Sequence, residues 1–535
     1  MNCRRIIAAL VSGCMLAACS PGIAVSAETC ASGTAFADAA EAECFTFDEA
    51  AGTLTITAAA AENMLRSELE CFGKKDQVKK IIAAEGAVLP AYCAMLFRGY
   101  AAETIDLKNA DASAVTDMHY MFENCPNLVT VDLSGLNTEN VTDMRGMFAL
   151  CYALKTVKLD GIDTSNVTDM STMFLECRSL VVLDLSGFRT PKLQTIEEMF
   201  RNCLQLADLN VSGFDTSHVT DMSSAFERCE SLEYLDISDW NTESAATLSK
   251  MFCGCSSMLA LSAKQFDTKN VTDMSEMFSG CSAAKKFSFN GLKTDKVTTF
   301  RGMFRDCSSL TELSFTGINT ACVTDFSEMF SGCTALQSVD LEGWNTRSAE
   351  NMSKMFYSCK SLTALSLMSF DTSNVTEAAE MFRNCRKLTA IYAGAQWDLS
   401  RLGAEASSCM FYGCEKLTGG NGTAYSEAHT DSTYARLDTA GAPGYLTDLL
   451  ADDLSRGDVN ANGAIGADDA QMTLRAYVKT LAGKSDGLST AALLAADVDR
   501  DGAATATDAQ IILQYYVRHL AGKPVAWDDL IPKKV

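Results

Sequence analysis

Apolar residues recur along most of this chain at a fixed interval of 26 residues. Phenylalanine marks the interval from position 122 to position 382, and a last copy slips by three residues to position 411. Nearly every copy continues with an apolar triplet such as Leu180, Leu183 and Leu185, whose L-x-x-L-x-L spacing is that of a short strand with alternate side chains in one core. An interval between about 20 and 50 residues predicts a solenoid, in which each copy buries its apolar face against its neighbours and the strands form one long parallel sheet.

A cysteine lies three residues after each phenylalanine of the repeat. Copies stacked at about 4.8 Å would align these side chains in parallel, farther apart than the roughly 3.5–4.5 Å between Cβ atoms that a disulfide prefers. We therefore expect a ladder of buried, reduced thiols. The column consists of Cys125, Cys151, Cys177, Cys203, Cys229, Cys255, Cys281, Cys307, Cys333, Cys359, Cys385 and Cys414.

A Met-rich segment precedes each phenylalanine and begins, in most copies, with aspartate. Asp273 and Glu276 stand three residues apart, which is the capping-box pattern that predicts a short helix. Met274, Met277 and Phe278 would share the buried face of that helical turn, so the methionines are interpreted as core residues and not as a metal or cofactor site.

A threonine follows the strand and its turn in every full copy. We expect the hydroxyl groups to form a ladder that satisfies backbone groups in the turn. The column consists of Thr138, Thr164, Thr190, Thr216, Thr242, Thr268, Thr294, Thr320, Thr346 and Thr372.

Composition and charge narrow the class of function. The 535 residues carry a formal net charge of −24, and no run of Lys and Arg forms a basic stripe, so a nucleic-acid partner is not expected. Of the four histidines, only His119 and His218 lie in the repeats, and neither recurs beside a cysteine. Because a cysteine nucleophile needs one activated thiolate beside a base, we expect no enzyme of this type.

The first 27 residues have the pattern of an export signal. Two arginines precede a short apolar run, and the small residues Val25 and Ala27 fit a signal-peptidase site. A second interpretation stays open, in which Cys19 ends a lipobox and becomes the lipidated first residue of a lipoprotein. Both interpretations place the protein outside the cytoplasm.

Residues 28–100 lack a clear repeat and are expected to cap the N-terminal end of the solenoid. They contain an alternating, strand-like piece at residues 44–57 and a worn copy of the repeat at residues 95–107. Four cysteines, at positions 30, 44, 71 and 93, could pair in an exported cap, with a connectivity that the sequence does not define.

The repeat motif V-T-D-M-s-x-M-F-x-x-C-x-x-L-x-x-L-D-L-S-x-F-D-T-S-N, as in residues 167–188 and 219–237, resembles the bacterial BspA-like leucine-rich repeat surface proteins. The resemblance covers about residues 118–447, with repeats placed at 101–417 and a closing cap at 418–447. It implies a secreted or cell-surface solenoid that serves adhesion or recognition, with an unknown protein or glycan as its ligand. Some copies depart from the motif, at Thr195-Ile196, Thr247-Leu248, Ala225 and Cys322.

After a linker at residues 448–455, two acidic loops follow a different pattern. Each loop places oxygen-bearing side chains at positions 1, 3, 5 and 12 with glycine at position 6, which is the spacing of a calcium loop. An apolar-periodic helix follows each loop, and carbonyl groups at position 7 and a water at Gly466 would complete the two ion sites. The predicted calcium ligands are Asp458, Asn460, Asn462, Ala464, Gly466 and Asp469 in the first loop and Asp497, Asp499, Asp501, Ala503, Thr505 and Asp508 in the second.

The duplication, the aspartate at position 12 and the absence of a helix before the first loop resemble a type I-like dockerin at residues 456–523, followed by a tail at 524–535. Dockerins bind two Ca²⁺ ions and attach secreted proteins to cohesin modules of a cellulosome scaffold. Ala504, where such loops usually carry a larger apolar residue, departs from the pattern. By the resemblance, the positions that face cohesin are Ala467, Asp468, Arg475, Lys479, Ala506, Thr507, Gln514 and Arg518.

These observations predict an α/β leucine-rich repeat solenoid joined to a small all-α, calcium-binding dockerin module. The expected function is non-enzymatic recognition or adhesion outside the cell, with attachment to a cohesin, because packing explains the repeat columns and no catalytic constellation recurs. Two alternatives stay open: a cellulosome-associated enzyme or protease inhibitor, and a lipid-anchored adhesin tethered through Cys19.

Overall fold

Short strands and tight turns stack along most of the chain. The computed structural model describes residues 44–58, 64–262, 266–315, 317–394, 396–399, 401–448, 456–460, 462, 464–482, 488, 490–499, 503–523 and 525–531. The export signal, Cys19, Cys30 and residues 449–455 of the linker predicted at 448–455 therefore lie outside the described residues. In the described part, no helix has both the length and the apolar character needed to cross a membrane.

The strands are three or four residues long in the repeats, as the triplet pattern predicts. They are β1 Phe45–Asp48, β2 Thr53–Ile56, β3 Lys80–Ala83, β4 Thr104–Asp106, β5 Thr130–Asp132, β6 Thr156–Lys158, β7 Val182–Asp184, β8 Asp208–Asn210, β9 Tyr234–Asp236, β10 Ala260–Ser262, β11 Lys286–Ser288, β12 Glu312–Ser314, β13 Ala364–Leu367, β14 Ala390–Ala393 and β15 Leu446–Thr447. The helices are α1 Met64–Cys71, α2 Ala467–Leu481, α3 Thr490–Ala496 and α4 Ala506–Leu520, with 3₁₀ turns at Ser432–Tyr434 and Trp527–Asp529.

The sheet is parallel and in register with the 26-residue interval. Val131 of β5, for example, pairs with Val157 of β6. The strand-like piece at residues 44–57 is a hairpin, in which β1 and β2 pair in antiparallel fashion and start the sheet. Within the described residues the strands form five hydrogen-bonded groups, β1–β6, β7–β8, β9–β10, β11–β12 and β13–β15, instead of one continuous sheet.

A second column keeps the stack continuous where the sheet is interrupted. Residues at the start of each Met-rich segment form isolated parallel bridges to the next copy, from Tyr92 and Asp117 through Asn351 and Glu377. The copies therefore remain stacked past every interruption of the strands.

The phenylalanine column forms the centre of the core. From Phe97 to Phe411 each ring stacks on the next, with centroids 5.3–6.0 Å apart. The stacked rings and most leucines of the strands are buried in one continuous apolar cluster. Burial of an aromatic side chain at each turn supplies much of the hydrophobic free energy that holds neighbouring copies together.

The Met-rich segment is not a helix, and the prediction of a capping box was wrong. Glu276 has a φ of +54° and Gly280 a φ of +76°, so the segment is a series of turns with residues in the left-handed region. Met277 N–H binds the carbonyl of Met274 within the turn, whereas Phe278 N–H binds Met303 of the next copy. The N–H groups of the segment are thus satisfied alternately within the turn and by the neighbouring copy. Met274, Met277 and Phe278 are buried, as predicted.

The threonine column forms the expected ladder. The Oγ1 atom of Thr242 donates a hydrogen bond to the carbonyl of Asp267 at 2.9 Å and accepts one from the N–H of the same residue at 2.8 Å. The Thr242 hydroxyl therefore satisfies both backbone groups of one residue in the next turn, and every threonine of the column makes at least one of these two bonds.

The cysteine column is also aligned in the interior. All twelve side chains are buried, and each Sγ donates to a phenylalanine carbonyl of the preceding copy at 3.0–3.3 Å. In the N-terminal cap, Cys93 likewise donates to the carbonyl of Pro90 at 3.1 Å.

Residues near the C-terminal end of the solenoid close its core. Tyr445 is buried and packs edge-on against Phe411, with ring centroids 5.2 Å apart, and β15 continues the sheet beside β14. Trp397 Nε1 donates to the carbonyl of Ala435 at 2.9 Å. The last phenylalanine of the column is thereby covered by aromatic side chains instead of solvent.

Candidate functional site

The first acidic loop converges on the start of α2. The Oδ1 atom of Asp469 accepts from Asn460 N–H at 3.0 Å, and its Oδ2 atom accepts from Gly466 N–H at 2.8 Å. Asp458 Oδ1 accepts from Asn462 N–H at 3.1 Å, which folds the loop back on its first residue. Aspartate at position 12 therefore joins both ends of the loop and is itself fully buried.

The second loop repeats this arrangement at the start of α4. Asp508 Oδ1 accepts from Asp499 N–H at 3.1 Å, and Oδ2 accepts from the backbone and hydroxyl of Thr505 at 2.8 and 2.9 Å. Carboxylate oxygens of Asp497, Asp499 and Asp508 lie within 4.8 Å of one another. The predicted ligand Asp501 lies outside the described residues.

The donor chemistry of both loops fits calcium. Asp469 and Asp508 have no exposed surface, and among the ion pairs of the described chain neither has a Lys or Arg partner. A buried carboxylate without a cation is costly, and clustered carboxylates repel one another. Calcium binds six to eight oxygen atoms of this kind and would neutralise the charge.

The two helices that follow the loops present matching surfaces. All eight positions predicted to face cohesin are exposed, on α2 and on α4. The structure adds an apolar stripe that the prediction missed: Leu474, Val478 and Leu481 of α2 are exposed by 45%, 56% and 70%, and Leu513, Val517 and Leu520 of α4 by 44%, 53% and 70%. The i, i+4, i+7 spacing of apolar residues in both helices was the signal for this stripe, because such spacing places them on one face of a helix.

The segment expected to be a tail packs into the core of the second module. The ring of Trp527 stacks on Tyr515 with centroids 4.0 Å apart, and the guanidinium of Arg456 lies 5.6 Å from the Trp527 ring centroid. Gly457 has a φ of +88°, and a Cβ there would lie 2.5 Å from the same ring. Trp527 and Leu530 thus join the beginning and the end of the module around one apolar cluster.

The outer face of the solenoid sheet exposes large apolar and acidic side chains. Val182 and Tyr234 are more than half exposed there, and Asp184, Asp208 and Asp236 lie beside them on β7–β9. These positions differ from copy to copy, whereas the core columns repeat.

The buried thiols are poor nucleophiles. Burial raises the pKa of the Cys359 thiol to about 12, so the reactive thiolate is scarce at neutral pH. In the described part of the chain, two groups of His, Cys, Asp or Glu converge closely: the second acidic loop, and Asp117, His119 and Asp143 at the start of the repeats.

Stacked 26-residue copies with a buried phenylalanine column, followed by paired acidic loops, define the class as a leucine-rich repeat solenoid of the BspA-like type with a C-terminal calcium-loop module. The model of the family described as Mycoplasma protein of unknown function, DUF285, matches residues 92–208, 176–292 and 298–425, more than half of the chain. The chain belongs to this family. Residues 456–516 match the dockerin type I domain, a domain that binds calcium.

Solved structures with a similar course of the chain are leucine-rich repeat proteins. A leucine-rich cell surface protein from Faecalibacterium prausnitzii is 16% identical, with 65% of this chain and 92% of that chain covered and a TM-score of 0.35. A leucine-rich repeat protein from Bacteroides ovatus is 18% identical, with 64% and 78% covered and a TM-score of 0.34. The leucine-rich repeat protein of T. pallidum is 19% identical, with 45% and 86% covered and a TM-score of 0.24. None of the curated proteins matches the chain.

Proposed function

We propose that this protein is a non-enzymatic, secreted or cell-surface recognition or adhesion protein that attaches through its calcium-loaded dockerin to a cohesin of a cellulosome-like scaffold. The observation that carries the proposal is the duplication in the second module, where two buried aspartates at loop position 12 each lie in the first turn of a helix with an exposed apolar stripe. The solenoid then displays its sheet face to a protein or glycan ligand.

We propose two calcium ions, one in each loop. The first would bind Asp458, Asn460, Asn462, the carbonyl of Ala464, a water at Gly466, and Asp469. The second would bind the corresponding set, Asp497, Asp499, Asp501, Ala503, Thr505 and Asp508. The boundaries that follow are 101–417 for the repeats, 418–447 for the closing cap and 456–523 for the dockerin, to which the Trp527 segment adds core residues.

Calcium should order the module, because the ion removes the repulsion between the ligand carboxylates. In the described chain the only α-helix outside the module is α1, so the far-ultraviolet circular dichroism at 222 nm reports mainly on α2 and α4. We expect this signal to deepen when calcium is added to the chelator-treated full chain, with two ions bound at saturation. The variant Asp469→Ala with Asp508→Ala should show no calcium response, whereas Asp340→Asn, at an exposed aspartate of the solenoid, should respond as the wild type does.

The docking face consists of two equivalent surfaces. Each surface comprises the exposed stripe of one helix together with the predicted contact positions Ala467, Asp468, Arg475 and Lys479 on α2, or Ala506, Thr507, Gln514 and Arg518 on α4. Exposed apolar residues rimmed by polar ones are typical of a protein-binding surface. Because the two stripes match in spacing and exposure, either helix can serve as the docking surface.

Capture of the full chain on a panel of immobilised cohesins tests this proposal. Binding should require calcium and should survive Val478→Asp or Val517→Asp alone, but not the two substitutions together. Tyr412→Asp, at an exposed position of the solenoid, is the matched control and should leave capture unchanged. Capture that persists in chelator, or that the double variant retains, would contradict the docking proposal.

A further inference from the structure

His119 lies between two carboxylates at the start of the repeat stack. Its Nδ1 atom is 2.6 Å from Asp117 Oδ1, and Asp143 of the next copy faces the same pair. One ligand atom from each of the three side chains falls within 4.8 Å of the other two, and all three residues are half-buried.

We propose that Asp117, His119 and Asp143 form a binding site for a divalent transition-metal ion of the zinc type, which clamps two consecutive copies of the repeat. An imidazole with two carboxylates is a donor set that zinc accepts, with three protein ligands and one position left for water or an external ligand. The second acidic loop, the other convergent group in the described chain, offers oxygen atoms alone and suits calcium. The two sites are therefore separable by the metal that they prefer.

The aspartate column by itself does not form this site, because in other copies the aspartate accepts a hydrogen bond from a neighbouring serine. The hydroxyl of Ser171 donates to Asp169 Oδ1 at 2.6 Å, and Ser223 donates to Asp221 Oδ1 at the same distance. In these copies a local hydroxyl occupies the carboxylate oxygen. At position 119 a histidine stands where these copies have the serine. A metal ion can take the place of the proton that His119 Nδ1 shares with the carboxylate of Asp117.

Neighbouring rings hold the imidazole in position. Tyr92 and Tyr120 pack edge-on against His119, with centroids 5.9 and 5.6 Å from the imidazole. The nearby cation, Arg145, has its guanidinium over the Tyr120 ring, 5.5 Å from the centroid, and is in no ion pair with either carboxylate in the described chain. Nδ1 and Oδ1 need to separate by less than about 1 Å to reach zinc-ligand distances of about 2.0–2.2 Å in tetrahedral geometry.

Asparagine substitution removes the negative charge of a ligand, and so weakens its bond to zinc, while preserving the local fold. The Oδ1 atom of Asp143 accepts from Arg145 N–H at 2.8 Å, so alanine would remove a backbone hydrogen bond as well. Asn351 occupies the same column and accepts from Ser353 N–H at 2.9 Å. Asp143→Asn therefore tests the metal site without removing the turn.

The test measures zinc bound to the full chain by competition with a chromophoric chelator, in saturating calcium and with exposed thiols alkylated. Wild type should bind one more zinc ion than His119→Ala or Asp143→Asn, and zinc should raise the thermal unfolding midpoint of wild type more than that of either variant. His218→Ala, the exposed histidine of another copy, should bind as wild type does. Equal zinc stoichiometry in wild type, His119→Ala and Asp143→Asn would overturn the proposal. The dockerin variant Asp469→Ala with Asp508→Ala should retain the zinc site. The result of the zinc experiment is therefore independent of whether the dockerin binds a cohesin.

Discussion

The sulfur atom of Cys203 lies 3.2 Å from the carbonyl oxygen of Phe174 in the preceding copy, to which it donates a hydrogen bond. Phe174 also stacks on Phe200, with ring centroids 5.7 Å apart. One cysteine thus satisfies a buried backbone acceptor beside the aromatic column. Cysteine suits this position because its side chain is small, apolar and a weak donor.

We expect Cys203→Ala to destabilise the solenoid by about 1–3 kcal/mol, because the substitution leaves a small void and a buried carbonyl without its donor. Equilibrium denaturation followed by intrinsic fluorescence measures the change. Cys322→Ala, at an exposed cysteine, should alter stability by less than about 0.5 kcal/mol. Equal effects at the two positions would contradict the role of the ladder.

The buried thiols should make the solenoid sensitive to alkaline pH. Burial raises the pKa of Cys359 to about 12, while in the unfolded chain a thiol titrates near about 8.5. Below the lower pKa both states hold the proton, and above it the unfolded chain loses a proton that the folded chain keeps. Stability therefore falls as pH rises between these values, by about 1.4 kcal/mol per pH unit for each such thiol.

Denaturation midpoints measured between pH 8 and pH 11 check this dependence. In Cys359→Ala the free energy of unfolding should fall less steeply with rising pH, and the difference in slope should correspond to the release of one proton on unfolding. A slope that is identical in this variant and in wild type would show that Cys359 is not held protonated in the folded state.

Thr242→Val tests the threonine ladder. Valine keeps the shape of the side chain but leaves the N–H and the carbonyl of Asp267 without their shared partner. We expect a loss of about 2 kcal/mol or more in the free energy of unfolding, since each unsatisfied buried group costs about 1–3 kcal/mol. Thr220→Val is the control, because its exposed hydroxyl makes a single bond to Gln194 at 3.3 Å.

Alanine substitutions at two glycines distinguish the effect of close packing from the effect of chain flexibility on stability. A Cβ at Gly213 would lie 2.5 Å from the carbonyl oxygens of Phe188 and Ser186, whereas a Cβ at Gly187 would meet no atom within 4 Å. Gly213→Ala should therefore destabilise the protein by about 1–3 kcal/mol, and Gly187→Ala should be neutral or slightly stabilising. The thermal unfolding midpoints of the two variants measure this difference. Similar midpoints would contradict the close contact of Gly213 with the carbonyl oxygens of Phe188 and Ser186.

Trp527→Ala should destabilise the calcium-loaded dockerin by about 3–5 kcal/mol, because the substitution removes a large buried ring from a small core. The loss is measured from the helical circular dichroism signal during denaturation in saturating calcium. Leu520→Ala, at a residue exposed by 70%, should unfold as the wild type does. If both variants unfold alike, the segment after α4 does not contribute to the stability of the module.

The Met-rich segment shows where inference from the sequence reached its limit. Met274, Met277 and Phe278 have helical spacing, and their burial was predicted correctly from it. The backbone is not helical, because Phe278 N–H binds a carbonyl 25 residues later instead of one four residues earlier. The local sequence pattern contains no information about this carbonyl group, because it comes close to Phe278 only when the copies have stacked.

The sequence by itself determined the 26-residue interval, the buried columns and the two acidic loops, because stacking and ion binding need the same residue types at the same spacing in each copy. The tertiary structure alone decided which atoms each column contacts, that Trp527 closes the dockerin core, and that His119 faces Asp143 of the next copy. These contacts join residues that are far apart or unrepeated in the chain, so their distances depend on how the turns pack and not on any periodic signal.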